Sequence, residues 1–177
     1  MRIYVGELKR EVGLRESHSF MRDAPAVSER GDAAVFEGPV KVEATLTNAG
    51  EGIIAEAHAE GVARLRCSRC LEEFALPVRT EFRVEFREAL PGENIEDKED
   101  VVLYSGDYVD MDEELRQHLI LALPMKPLCN EACKGLCPGC GANLNESNCS
   151  CETRPIDPRL AGLEELQARL KGRGGEL

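Results

Sequence analysis

Eight cysteines carry the chemistry open to this sequence: Cys67, Cys70, Cys129, Cys133, Cys137, Cys140, Cys149 and Cys151. Each has another within four residues. Two thiolates on one tight turn can reach a single tetrahedral ion, so Cys67-Ser68-Arg69-Cys70 reads as a metal knuckle. Cys137-Pro138-Gly139-Cys140-Gly141 is the same device with stronger turn chemistry. Pro138 and Gly139 bend the loop, and Gly141 lets backbone amides approach the sulfurs. Cys149-Ser150-Cys151 is a tighter pair. Eight thiolates divide into two sites of four, which implies about two zinc ions per chain. The favoured division places Cys137, Cys140, Cys149 and Cys151 in one local site, closed by the eight-residue loop Gly141 to Asn148. Cys67, Cys70, Cys129 and Cys133 then form the other, stapling a sheet to the chain that leaves a helix. Interleaved pairing is the alternative.

Other thiol chemistries fit less well. Structural disulfides need an oxidising compartment. The N-terminus Met1 to Gly13 alternates charge with hydrophobe and lacks the layout of a signal peptide. Redox chemistry at Cys67 and Cys70 would want a helix N-terminus just after a strand to lower a thiol pKa. The spacing Cys133-x3-Cys137-x2-Cys140 matches one that binds an iron–sulfur cluster in radical enzymes. Those enzymes build a large barrel after the motif, and only 37 residues follow Cys140.

The three histidines, His18, His58 and His118, stand apart and form no ligand pair. There is no Gly-x-Ser-x-Gly, no phosphate-cradling Gly-Lys-Ser/Thr loop and no His-Glu-x-x-His. Nothing argues for catalysis or for a small-molecule substrate, so the expectation is a protein that is not an enzyme.

Strands must position the first knuckle. Val40, Val42, Ala44 and Leu46 alternate with polar residues, which predicts a strand with one buried face. Asn48 to Gly52 supplies a turn. Ile53, Ala55, Ala57, Ala59, Ala63 and Leu65 line one face of a second strand, with Val62 as the exception. A third run, Val78 to Phe86, puts Phe82, Val84 and Phe86 on one side. Three such runs suggest an antiparallel meander. Met1 to Leu8 can form a strand, Glu16 to Gly31 reads as irregular, and Val101 to Tyr104 as a short strand. A helix is predicted over 111–123, with Asp110 as N-cap, Glu113 completing a capping box and Pro124 as its stop. Residues 127–151 have almost no large apolar side chains and cannot be held by burial. A last helix fits Pro158 to Lys171. Asp157 would cap it, and Leu160, Leu163, Leu166 and Leu170 would form its stripe. The expected class is α+β. Its parts are an antiparallel α+β domain at 1–126, a Cys-rich zinc-binding segment at 127–151 and a C-terminal helical segment at 152–177.

The 177 residues carry a formal net charge of −11. Between Glu85 and Leu115 stand twelve acidic residues against two basic ones, nearly all of that excess. No basic block is present to neutralise phosphates, so direct RNA binding is not supported by charge. A basic protein partner suits the acidic segment better, although a solvated loop explains it more plainly. No apolar run approaches the roughly 20 residues of a membrane span. The expected compartment is the cytoplasm.

Three motifs in order, Cys67-Ser68-Arg69-Cys70-Leu71, Leu119-Ile120-Leu121-Ala122-Leu123-Pro124 and Cys133-Lys134-Gly135-Leu136-Cys137-Pro138-x-Cys140-Gly141-x-Asn143-Leu144-Asn145, give the chain a resemblance. It resembles the YceD-like family, the large ribosomal RNA subunit accumulation proteins, from about residue 40 to residue 151. The resemblance implies a part in accumulation of large-subunit ribosomal RNA, hence in ribosome biogenesis, without catalytic activity. Together with the acidic segment, that role makes a basic ribosomal protein or the large-subunit precursor the expected partner. Two other classes compete: a zinc-ribbon regulatory module that binds nucleic acid or polymerase, and a thiol-redox or iron–sulfur protein.

Overall fold

A computed structural model describes residues 1–23, 35–89 and 101–151, together with Leu163. The chain divides into two units, Met1–Glu131 and Ala132–Leu177.

The first unit is built on the three alternating runs. They form β4 (Pro39–Asn48), β5 (Ile53–Arg66) and β6 (Glu73–Glu88), paired antiparallel in that order. Gly50 makes the β4–β5 turn at a φ of +92°, a conformation open to glycine without strain. The Asn48 side chain accepts from Gly50 N–H at 2.8 Å and donates to the Leu8 carbonyl at 2.9 Å. β6 begins five residues before the expected run and carries Pro77 opposite Val62. No described strand lies on the far side of β6 there, so the missing N–H of Pro77 breaks no ladder.

Three features depart from expectation. The stretch expected to be irregular contains β2 (Arg15–Asp23), nine residues paired antiparallel with β4. Glu16, His18 and Phe20 are half-buried in alternation with exposed neighbours, and Phe20 packs on the core. Ser17 and Thr45 hydroxyls meet across the pair at 3.0 Å. Next, β7 (Val101–Tyr104) joins the edge of β6 in parallel, so the sheet is mixed and only mainly antiparallel. Finally, the capping box does not form. The helix α1 spans Asp112–Leu121 with Met111 at its N-cap and no side-chain cap. Asp110 is engaged by the Met1 ammonium at 2.7 Å and by Asp112 N–H at 3.0 Å. Glu113 turns to Arg116 and Gln117 instead.

The remaining elements are β1 (Arg2–Tyr4), a 3-10 turn at Leu8–Arg10, β3 (Val35–Phe36) and β8 (Tyr108–Asp110). β1 and β8 form an antiparallel ribbon. β3 pairs with β5 beyond the end of β4. At that corner Gly61 leaves room for Val40 and Phe36. A Cβ there would stand 2.9 Å from the Val40 side chain and 3.3 Å from the Phe36 ring.

One face of the sheet makes the core. Val40, Val42, Ala44 and Leu46 meet Ile53, Ala55, Ala57 and Ala59, then Phe82, Val84 and Phe86. Ile3, Val5, Leu8, Val109, Met111, Leu115 and Leu119 belong to the same cluster. His118 of α1 stacks on Phe82 with ring centroids 4.5 Å apart. The many alanines of β5 allow close approach, and the larger side chains on its neighbours fill the space. The helix expected at Pro158 to Lys171 lies outside the described residues except for Leu163, which is helical and exposed. So do residues 91–100 of the acidic segment, together with their charges.

Candidate metal centres

The antiparallel register of β5 and β6 runs to Arg66 opposite Glu73, so Cys67 to Glu72 is the tip of that hairpin. Cys67 N–H donates to the Glu72 carbonyl at 2.9 Å, and Leu71 N–H donates to the Cys67 carbonyl at 2.9 Å. Arg69 N–H points at Cys67 Sγ, 3.4 Å away. The same pattern recurs at the second knuckle. Cys137 N–H donates to the Ala142 carbonyl at 2.8 Å, Gly141 N–H donates to the Cys137 carbonyl at 2.8 Å, and Gly139 N–H lies 3.4 Å from Cys137 Sγ. The residue after the second cysteine has positive φ in both, +64° at Leu71 and +75° at Gly141. Two turns of unlike sequence thus aim two sulfurs and their amides in one way.

Each knuckle has its complement. Ser68 N–H donates to the Pro127 carbonyl at 2.8 Å, and Arg69 Nη1 to the Glu131 carbonyl at 3.1 Å. Those bonds bring the segment that carries Cys129 to the hairpin tip. Cys70 and Cys129 Sγ lie 3.6 Å apart. The sulfurs of Cys67, Cys70, Cys129 and Cys133 all fall within 4.8 Å of one another, as do those of Cys137, Cys140, Cys149 and Cys151. This is the non-interleaved division that the spacing favours. In the second set Cys149 Sγ stands 3.6 Å from Cys140 and 3.1 Å from Cys137. Cys151 packs against Gly139, where an added Cβ would sit 3.3 Å from Cys151 Cβ.

The donor chemistry fits a metal ion. Zn–S bonds of about 2.3 Å in a tetrahedron place sulfurs roughly 3.8 Å apart, near the separations seen here. No disulfide joins any of the eight cysteines. Cys67, Cys70, Cys133 and Cys137 are buried, while Cys129, Cys140 and Cys151 are exposed. In the second unit, Cys133 and Cys137 are the buried hydrophobic residues among those described. A segment with so little apolar burial needs another source of order, and a bound metal ion would supply one.

The thiols influence one another strongly. Burial pushes Cys67 up, but backbone N–H groups of Cys129, Cys70 and Arg69 outweigh it and bring the thiol down to about 6. The Cys149 side chain, helped by the amides of Cys140 and Gly139, lowers Cys137 to about 6. The partners carry the opposite shift. Cys149 is raised by Cys137, and Cys151 is pushed up to about 12 by Cys149 and Cys140. Sulfurs this close share protons, and one thiolate forms at the expense of the next. A divalent cation would favour the thiolate form of all four.

None of the three histidines joins either thiol set: His18 lies on β2, His58 on β5, and His118 against Phe82. Sequence reasoning assigned no role to Asn145, whose amide reaches Cys133 Sγ at 3.3 Å. An asparagine in a loop gives no spacing signal of its own.

Among the described residues, a mainly antiparallel sheet with the helix α1, a knuckle at a hairpin tip and a second four-thiol set define a β-rich protein with two candidate metal centres. The chain belongs to the family described as large ribosomal RNA subunit accumulation protein YceD, whose model matches residues 55–167. It is similar to the large ribosomal RNA subunit accumulation protein YCED homolog 1, chloroplastic, of Arabidopsis thaliana, 31% identical over 38% of this chain and 21% of that one. The protein of the same name from Zea mays is 38% identical over 36% of this chain and 20% of its own length. An uncharacterized protein of Mycobacterium bovis is 29% identical over 68% of this chain and 58% of its own. The chain thus spans about a fifth of the length of the plant relatives it matches. No solved structure matches it. Among the described residues no helix is long and apolar enough to cross a membrane.

Proposed function

We propose that this chain is a non-enzymatic ribosome-biogenesis factor of the cytoplasm, stabilised by two zinc ions, that supports accumulation of large-subunit ribosomal RNA through protein contacts. The observation that carries the reading is the pair of four-thiol sets on a chain of this family. Four sulfurs in a tetrahedral cluster suit zinc or an iron–sulfur centre. Zinc has no redox chemistry, and a closed set of four protein ligands is a structural site. The metal then holds knuckles in shape and leaves recognition to the surface.

The surface points to a basic partner. Asp112, Glu113 and Glu114 open α1 and belong to the segment that holds nearly all the net charge. Such a surface attracts a basic protein of the large subunit or its precursor and repels bare RNA. A pull-down of bound protein and RNA at two salt concentrations tests this. The expected result is a basic ribosomal protein whose recovery falls as salt rises, because exposed charges are screened. The combined changes Glu93→Gln, Glu96→Gln, Asp97→Asn, Glu99→Gln and Asp100→Asn should slow its association. Tight binding of naked ribosomal RNA, undiminished by those changes, would overturn the reading.

A further inference from the structure

Asn145 belongs to neither four-thiol set, yet it touches a sulfur of one and sits in the loop of the other. It lies between Cys140 and Cys149, in the stretch that closes the second set. Its Oδ1 accepts from Lys134 N–H at 2.8 Å. Its Nδ2 donates to Asn143 Oδ1 at 2.8 Å and to Cys133 Sγ at 3.3 Å. These partners fix the orientation of the amide. A backbone N–H can only donate, so the oxygen must face Lys134, and the NH₂ group is left for the sulfur and the Asn143 oxygen. The turn that carries Asn145 is itself strapped down. Leu144 N–H donates to the Gly135 carbonyl at 2.9 Å, Ser147 N–H to the Asn143 carbonyl at 3.0 Å, and Leu136 bridges to Asn143.

Cys133 is the last member of the set with Cys67, Cys70 and Cys129. We propose that Asn145 is a positioning residue for that first set, holding the Cys133 sulfur in its ligating place and linking the filling of one metal centre to the other. The inference rests on the metal reading above. A metal bound by Cys137, Cys140, Cys149 and Cys151 closes the loop between Cys140 and Cys149. The closed loop presents Asn145 to Cys133 and Lys134. The N–H donor also spreads the negative charge of a metal-bound thiolate, as outer partners of metal ligands do. The coupling is reciprocal, so each set binds zinc more tightly when the other is filled, with Asn145 as the connection.

Zinc competition between the full-length protein and a chromophoric chelator tests this, with Cys70→Ser and Cys140→Ser proteins identifying which release step belongs to which set. Asn145→Ala should weaken zinc binding at the first set by about 10- to 100-fold, and in the Cys70→Ser background, where the first set is disabled, it should leave the second unchanged. Asn145→Asp keeps an oxygen for Lys134 N–H but sets a carboxylate oxygen against the sulfur. It should lose at least as much as Asn145→Ala. In the Cys140→Ser background, where the loop is already open, Asn145→Ala should add little, a non-additive pair. Wild-type affinity at the first set in either Asn145 variant overturns the positioning role while the metal reading stands. So does weakening of the second set by Asn145→Ala in the Cys70→Ser background, which would make Asn145 a fold residue only. Wild-type protein that binds no zinc at all overturns the metal reading itself.

Discussion

Leu71 and Gly141 hold the same place in two loops: each follows the second cysteine of its knuckle and donates its N–H to the carbonyl of the first, at 2.9 and 2.8 Å. Both have positive φ, at +64° and +75°. A side chain in that region costs of order 1 kcal/mol, which glycine avoids. Leu71→Gly should therefore leave stability unchanged or raise it by up to about 1 kcal/mol. Gly141→Leu should destabilise the second knuckle by about 1–2 kcal/mol. Thermal unfolding with zinc present checks the first, and amide exchange at residues 134–147 checks the second. A large loss on Leu71→Gly would show that the leucine side chain, although exposed, supports the hairpin tip.

The core makes a plainer demand. Phe86 is fully buried at the end of the β5–β6 ladder, opposite Ile53. Phe86→Ala should cost about 3–5 kcal/mol through lost burial and the cavity left behind. A urea unfolding curve should show a lower midpoint with an unchanged slope.

Acid should loosen the start of α1. Asp110 is held below the usual carboxylate range, first by the hydrogen bond from the Met1 ammonium and then by Asp112 N–H. A carboxylate with a depressed folded pKa stabilises the fold above its unfolded value of about 3.9. That contribution is lost as pH falls through the folded value. Wild type should exceed Asp110→Asn in urea midpoint near pH 6, and the gap should shrink below about pH 4. Comparing the two proteins cancels acid effects common to both. A gap that does not change with pH would remove Asp110 from the account.

The legible parts of the sequence were those governed by local repetition. Alternation set the faces of β4, β5 and β6 because each strand buries one side, and the ends of β5 and β6 put Cys67 and Cys70 at a hairpin tip. Cysteine spacing indicated the second set because a short loop restricts which sulfurs can meet, and the first set followed as the four that remained. Partners distant in sequence decided the rest. Arg15–Asp23 has little apolar content, and its strand comes from pairing with β4. The parallel pairing of β7 with β6 leaves no periodic signal in the sequence. Asp110 reads as a helix cap, but the ammonium 109 positions away engages it. Asn145 meets the Cys133 sulfur across twelve residues, a contact that no spacing rule announces.

Losing one metal centre should not unfold the other region equally. Cys140→Ser should speed exchange at the amides of Lys134, Cys137, Gly141 and Leu144, whose acceptors lie within the same segment. The ladder of β5 and β6 should keep its protection, since apolar packing holds it. Cys70→Ser should instead free the amide of Ser68, which is bonded to Pro127. Equal loss of protection along 53–86 in Cys140→Ser would mean that the second set is not local.

The metal reading is tested most directly by elemental analysis of the protein purified without oxygen and without added chelator. The expected result is about two zinc ions per chain in a colourless solution, falling to about one in Cys140→Ser. Stoichiometric iron with visible absorbance, or metal-free protein that keeps residues 132–151 ordered, would contradict it.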